Sequence, residues 1–203
     1  MNFADMLPYV LPSVAGCPDS VATEQLCMAA RVFCARTNIW NYSSNTILSV
    51  SNEANYTLQL DPGRELCRVL GVEVGCREYY VPNAVRGRRA ARHCWHGRQA
   101  VFQGPQDFTL TPVPLINGEP IIVDISVKPA MGTTYWPDDF TEFAPDLANA
   151  AIANLCLLPR QEWSNDRLAK ERGAAFLERC GVIALKVSRG FGNSYQHAKV
   201  TWF

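Results

Sequence analysis

The sequence predicts an α+β fold, a helical bundle built from the N- and C-terminal segments with a central antiparallel β-rich insertion forming a small sandwich or partial barrel. Three observations carry this. Apolar residues recur at helical spacing near both ends, as in Ala22, Leu26, Ala29/Ala30 and Phe33, and again in Ala169, Gly173, Phe176, Cys180, Ile183 and Val187. Between Ser43 and Lys128 the period shortens to that of half-buried strands. Turn residues punctuate that region at Asn52-Glu53-Ala54-Asn55, Asp61-Pro62-Gly63 and Asn117-Gly118. At 203 residues the chain has the length of one ordinary domain, enough to bury a core without covalent staples.

Residues 3–15 are apolar with two prolines, Pro8 and Pro12, and read as a short helical turn or an extended arm. Pro18-Asp19-Ser20 starts a helix, because proline suits the first turn and aspartate the positive end of the helix dipole. That helix should end near Thr37-Asn38, with Trp40 and Tyr42 capping its core. Strands are expected at Thr46–Val50, Tyr56–Leu60, Leu66–Val74, Glu78–Val81, Ala100–Gln103, Phe108–Thr111 and Ile121–Val127. Asn117-Gly118 lies between apolar segments and reads as a tight hairpin.

Trp136-Pro137-Asp138-Asp139-Phe140 leads into an apolar stretch, Leu147 to Leu158. Asp138, Asp139, Glu142 and Asp146 sit where carboxylates complement a helix N-terminus, and Pro145 starts or kinks the main helix. After a break at Pro159, Ser164 is the expected N-cap of a charged helix that ends near Gly190. Helices over 146–158 and 165–187 should pack as an antiparallel hairpin, burying Ala150, Leu155, Phe176 and Cys180. Gly173 costs roughly 1 kcal/mol relative to alanine inside a helix, a cost that close approach to a neighbouring helix would justify. Asp166/Lys170 and Arg167/Glu171 form i,i+4 pairs on the exposed side. The chain thus divides into an N-terminal arm and helix (1–42), a β-rich insertion (43–128), a helical hairpin packing on the N-terminal helix (129–189) and a C-terminal docking tail (190–203). In that tail Tyr195, Val200, Trp202 and Phe203 load large apolar groups onto a segment too short for a core of its own. They are expected to dock on a partner.

Nineteen basic and nineteen acidic groups cancel, so global charge implies no avid nucleic-acid or membrane binding. The local exception is Arg86, Arg88, Arg89, Arg92 and Arg98, interleaved with His93 and His96 and free of acids. Such a cluster fits phosphate contact without sequence readout, contact with another subunit, or plain solvent exposure. The eight cysteines show no C-x-x-C spacing and read as free thiols that pack as small hydrophobes. His93-Cys94-x-His96 with Cys67 or Cys76 could be imagined around zinc, but the spacing matches no standard ligand pattern; no metal or cofactor is expected.

Val14-Ala15-Gly16-Cys17 has the form of a lipoprotein cleavage box, yet the preceding residues contain Asp5, no Lys or Arg, and two interrupting prolines. No apolar run is long enough to span a bilayer. The sequons at Asn41 and Asn55 carry little weight without an export signal, so the expected compartment is reducing cytoplasm. No catalytic motif appears. Cys94 with His197 lacks any flanking signature, there is no Gly-x-Ser-x-Gly or phosphate-binding glycine loop, and Gly190-Phe191-Gly192 is only a flexible tail signal. No enzymatic activity is expected.

The order of parts carries a resemblance. A Leu7-Pro8-Tyr9-Val10-Leu11-Pro12 arm is followed by Gly16-Cys17-Pro18 and an amphipathic helix, then a strand-rich middle. Trp136-Pro137-Asp138-Asp139-Phe140 opens a helix rich in small residues, and Pro159 and Glu162-Trp163-Ser164-Asn165 precede a charged last helix. This resembles the head-to-tail adaptor (connector) proteins of tailed bacteriophages, the group that includes tail tubular protein A, most sharply over residues 7–18 and 136–178. The resemblance implies a structural, non-enzymatic ring, commonly of twelve subunits, at the head-tail junction of a virion and made in the host cytoplasm. The ring docks under the portal protein, passes double-stranded DNA through its lumen without sequence preference, and receives tail or nozzle proteins below. It implies no membrane partner. Helices from both termini would form the ring body, the strand-rich insertion would face tail-side partners, and a terminal arm would grip the portal. A secreted or lipid-anchored β-rich binding module, using the sequons, cysteines and aromatics, is the alternative. Free rather than paired thiols would favour the adaptor.

Overall fold

The computed structural model describes residues 1–82 and 97–190. The chain enters as a run of short helical turns, 3-10 over Phe3–Met6, helix α1 over Leu7–Val10 and 3-10 again over Leu11–Ser13. Of the two expected forms for this segment, the helical one is found. The segment is also not peripheral, since Phe3, Met6, Val10 and Val14 are all fully buried. Helix α2 spans Asp19–Thr37. Pro18 lies just before it in extended conformation, not within its first turn. Asn38 closes it in the left-handed region at φ 50°, its N–H bonding the Cys34 carbonyl at 2.9 Å, a conformation asparagine tolerates better than most residues.

The middle of the chain forms two antiparallel sheets. In the larger, β1 (Asn41–Ser43) and β2 (Ile47–Leu48) both pair with β8 (Pro120–Pro129), which pairs with β4 (Arg64–Val74), which pairs with β5 (Arg77–Tyr79). In the smaller, β7 (Asp107–Thr111) lies between β3 (Asn55–Thr57) and β6 (Gln99–Phe102). Inward residues of both sheets make one core: Val72, Val74, Ile121, Val123, Ile125 and Val127 from the first meet Tyr56, Ala100, Phe108 and Leu110 from the second. A bridge between Tyr80 and Gln99 joins the sheets along one side. The result is a small sandwich joined at one edge.

Two turns depart from the sequence reading. Asn117-Gly118 is a turn, with Gly118 at φ 79°, but it does not close a hairpin. β7 before it and β8 after it belong to different sheets. The chain instead turns against residues 49–52, where the Gly118 N–H bonds the Ser49 carbonyl and the Asn52 N–H bonds the Pro114 carbonyl, both at 2.9 Å. A tight hairpin does form at β4–β5, which turns at Gly75 and Cys76, both at positive φ (52° and 66°), the conformation that matches strand twist. Strand β1 was not expected from the sequence at all. Three residues beginning with asparagine have no periodicity of their own, and Tyr42 is placed by pairing with Ile125.

After β8 the chain crosses the helical body. Trp136, fully buried, sits among Phe3, Phe33, Trp40 and Phe140, with ring centroids 5.7–6.3 Å away. Its indole N–H donates to the Phe140 carbonyl at 3.0 Å. A 3-10 turn over Asp138–Phe143 leads into α3, Ala144–Cys156, with Pro145 in its first turn as expected. Helix α4 spans Asp166–Ser188. Ala150, Leu155, Phe176 and Cys180 are all buried in the α2–α3–α4 core. The N-cap of α4 is Asn165, not Ser164. The Asn165 Oδ1 accepts from the Leu168 N–H at 3.0 Å, while the Ser164 hydroxyl is taken up by the Leu158 carbonyl in the preceding loop. Close packing does not account for Gly173 either, because a Cβ there would lie 3.7 Å from the Ala153 Cβ, an ordinary contact.

The helical body and the sandwich meet along α2 and the paired ends of β4 and β8. Arg31 donates to the Pro129 carbonyl at 2.5 Å and to Glu65 at 2.8 Å. That bond, more than any other cause, holds the Glu65 carboxyl below its ordinary range. Trp40 packs against both cores and, with Tyr42, brackets the Arg64 guanidinium at 5.2 and 5.1 Å, a cation–π arrangement.

Candidate assembly surfaces

Of the arginines singled out in the sequence, Arg98 lies among the described residues; Arg86, Arg88, Arg89 and Arg92 lie outside them, as do His93, Cys94, His96 and His197. Arg98 is half-buried just before β6, its carbonyl accepting the Tyr80 N–H at 3.0 Å where the two sheets join. Its backbone therefore serves the sandwich junction. Tyr195, Val200, Trp202 and Phe203 also lie outside the described residues. Among the described residues, α4 ends at Ser188 and Gly190 takes φ 68°, the left-handed exit that glycine allows after a helix.

The described cysteines are free thiols. Cys17, Cys27, Cys34, Cys156 and Cys180 are buried, Cys67 is partly so, and Cys76 is exposed on the β4–β5 turn. Burial raises the thiol pKa at Cys17, Cys27, Cys67 and Cys156, raises it far at Cys34, and takes Cys180 to about 11. A thiol held protonated is a poor nucleophile and a poor metal ligand, so these groups act as packing. Among the described residues no group of three or more His, Cys, Asp or Glu could hold a metal ion. No helix there is long and apolar enough to cross a membrane.

What the described surface does offer is uncovered apolar area, and three stretches of it bear on assembly. The first runs along α4. Ala174, Leu177, Gly181, Ala184 and Ser188 follow the alternating three- and four-residue spacing of a coiled-coil seam, and Leu185 lies beside them. Leu177 is 48% exposed and Leu185 58%. A Cβ added at Gly181 would meet nothing within 4 Å. The second is on α2, where Val21, Gln25, Met28, Val32 and Ala35 repeat the same spacing; Val32 and Ala35 are exposed, Gln25 and Met28 half-buried, and Val21 packs against the helical core. The third is the tip of the sandwich. Leu48, Val50, Leu115 and Ile116 are all more than half exposed, and hydrogen bonds from Ser49 to the Ile116 carbonyl (2.8 Å) and from Ser51 to the Leu115 carbonyl (3.0 Å) hold their two segments together.

Sequence reasoning missed these surfaces for a definable reason. Periodicity marked the buried stripe of α2 and α4, but the second stripe on each helix is interrupted by Gln25, Gly181 and Ser188 and gives a weaker repeat. On α4 the stripe through Phe176, Cys180 and Ile183 is buried, leaving the stripe through Leu177 outside. The expected i,i+4 charges Asp166, Lys170, Arg167 and Glu171 are exposed. The helix's polar contacts to α3 come from other residues: Arg172 to Asn149 at 3.0 Å and Arg179 to Asp146 at 3.2 Å.

No protein-family model matches the chain, and no curated protein matches it.

Proposed function

We propose that the protein is a structural head-to-tail adaptor of a tailed bacteriophage, assembling as a ring between the portal and the tail with DNA passing through its lumen. The observation that carries this is the pair of uncovered coiled-coil-type stripes on two different helices of an otherwise well-packed body. Contiguous exposed apolar surface on a soluble domain marks an interaction site. Two distinct such faces on one subunit suit a head-to-tail contact, the kind that closes into rings. A helical body drawn from both chain ends, with a strand-rich part carrying its own apolar tip, matches the division of labour implied by the sequence resemblance. In this reading the helical body is the ring and meets the portal, and the sandwich tip receives tail or nozzle proteins. The described cysteines, free and largely buried, favour this reading over a secreted or lipid-anchored binding module, which would draw on disulfides.

The test is electron microscopy of the purified protein, alone at rising concentration and mixed with portal particles. Closed rings of about twelve subunits with a channel open to duplex DNA are expected. A species that stays monomeric under both conditions, or that forms only two-fold dimers, would exclude the adaptor reading.

A further inference from the structure

We propose that the subunit–subunit contact of this ring is an antiparallel pairing of the exposed stripe on α4 of one copy with the exposed stripe on α2 of the next; the proposal rests on the ring reading above and specifies its interface. Both stripes have the heptad spacing at which two helices interlock side chains over several turns. When they run antiparallel, one register brings the central turns of both stripes together. Val32 then faces Leu177, Ala35 faces Ala174, and Met28 faces Gly181. The last pairing is complementary in size. Methionine is the long, adaptable side chain of the α2 stripe, and Gly181 is the position on α4 where an added Cβ would find open space.

Charge selects the direction. Antiparallel docking sets Arg36, at the end of α2, level with Glu171 near the start of α4, both exposed on the flank of the seam. Parallel docking would instead set Glu24 beside Glu178, like against like. Pairing α4 with a second α4 would leave the α2 stripe in water. The α2–α4 contact covers both, and because it joins different faces it repeats from copy to copy.

Charge-swap variants of the full-length protein test this. Val32→Lys and Leu177→Glu each place a charge in the centre of one stripe, at positions 40% and 48% exposed. Each alone should lose the assembled species in native mass spectrometry while keeping the melting temperature of the wild-type monomer. The double variant, and an equimolar mixture of the two single variants, should regain assembly, because lysine and glutamate then face each other across every contact or every second one. Single variants that assemble like wild type would move the contact to another face and overturn this proposal while leaving the ring intact. So would loss of assembly with Leu177→Glu but not with Val32→Lys, which would assign the α4 stripe to a second α4 or to the chain's own C-terminal residues. Failure of both the double variant and the mixture to reassemble would likewise rule out direct pairing. Wild-type protein that never assembles, with or without portal particles, would overturn both this contact and the ring.

Discussion

At the scale of single residues, the informative positions are those where composition and environment disagree. Gly173 is one. It lies inside α4, where glycine costs roughly 1 kcal/mol relative to alanine. Its neighbour Ala153 stands 3.7 Å from where a Cβ would be, so nothing opposes the methyl group. Gly173→Ala should therefore stabilise the protein by about 0.5–1 kcal/mol, read as a higher urea midpoint. A loss of stability would mean that α3 and α4 pack more tightly than this spacing allows. Gly75 is the contrary case: its φ is 52° and a Cβ would fall 2.8 Å from Glu119 Oε1. Cys180 gives a pH dependence. A thiol in the unfolded chain ionises near pH 9.0, while burial in the helical core carries this one to about 11. Between those values the unfolded state holds fewer protons than the native state, so stability falls as pH rises. The contribution is complete below pH 9.0 and is lost through about 11. Denaturation midpoints measured across that window should decline, and Cys180→Ala should flatten the decline. An unchanged slope would show that Cys180 does not carry it.

At the scale of elements, helix ends tell more than helix interiors. Four consecutive residues, Glu162-Trp163-Ser164-Asn165, offer two candidate caps for α4, and serine and asparagine rank almost equally at that position. The tertiary contact decides between them, because the Leu158 carbonyl in the preceding loop takes the Ser164 hydroxyl and leaves Asn165 facing the first turn. Asn165→Ala should cost about 0.5–2 kcal/mol in chemical denaturation and loosen hydrogen-exchange protection over the first turn of α4. Equal protection in variant and wild type would return the capping role to Ser164. Strand β8 shows the same division of influence. Ile121, Val123, Ile125 and Val127 alternate inward, as a period-two pattern requires. The partners of the strand are β1, β2 and β4 rather than its sequence neighbour β7.

At the scale of the whole molecule, the first fourteen residues belong to the core of the helical body. Phe3, Met6, Val10 and Val14 have no exposed surface. The Phe3 N–H bonds the Thr134 carbonyl and the Trp136 N–H bonds the Met1 carbonyl, both at 2.9 Å, tying the chain's start to the segment that opens the C-terminal hairpin. Removing one large buried side chain costs about 2–5 kcal/mol, and a domain of this size has only about 5–15 kcal/mol in total. Deleting residues 1–14 should therefore abolish cooperative unfolding, seen as loss of the near-ultraviolet circular dichroism signal and gain of dye binding to exposed apolar surface. A truncated protein with the wild-type transition would make this segment a detachable arm.

The α+β class, the extents of α2, α3 and α4 to within a few residues, most of the strands and the buried stripe of each helix were all legible in the sequence. The reason is that each depends on a local repeat: 3.6 residues for a helix face, two for a strand face, and Gly, Pro or Asn where the chain must turn. The repeat is silent on what lies opposite. Which strands pair, that Tyr80 meets Gln99 to join the sheets, that Phe3 lies beside Trp136, and that Asn165 rather than Ser164 caps α4 are matters of contact between distant residues. The candidate assembly surfaces fall in that second class. Phe176 follows the legible stripe into the core; that its neighbour Leu177 stays 48% exposed follows from α2 and α3 packing against the other side of α4.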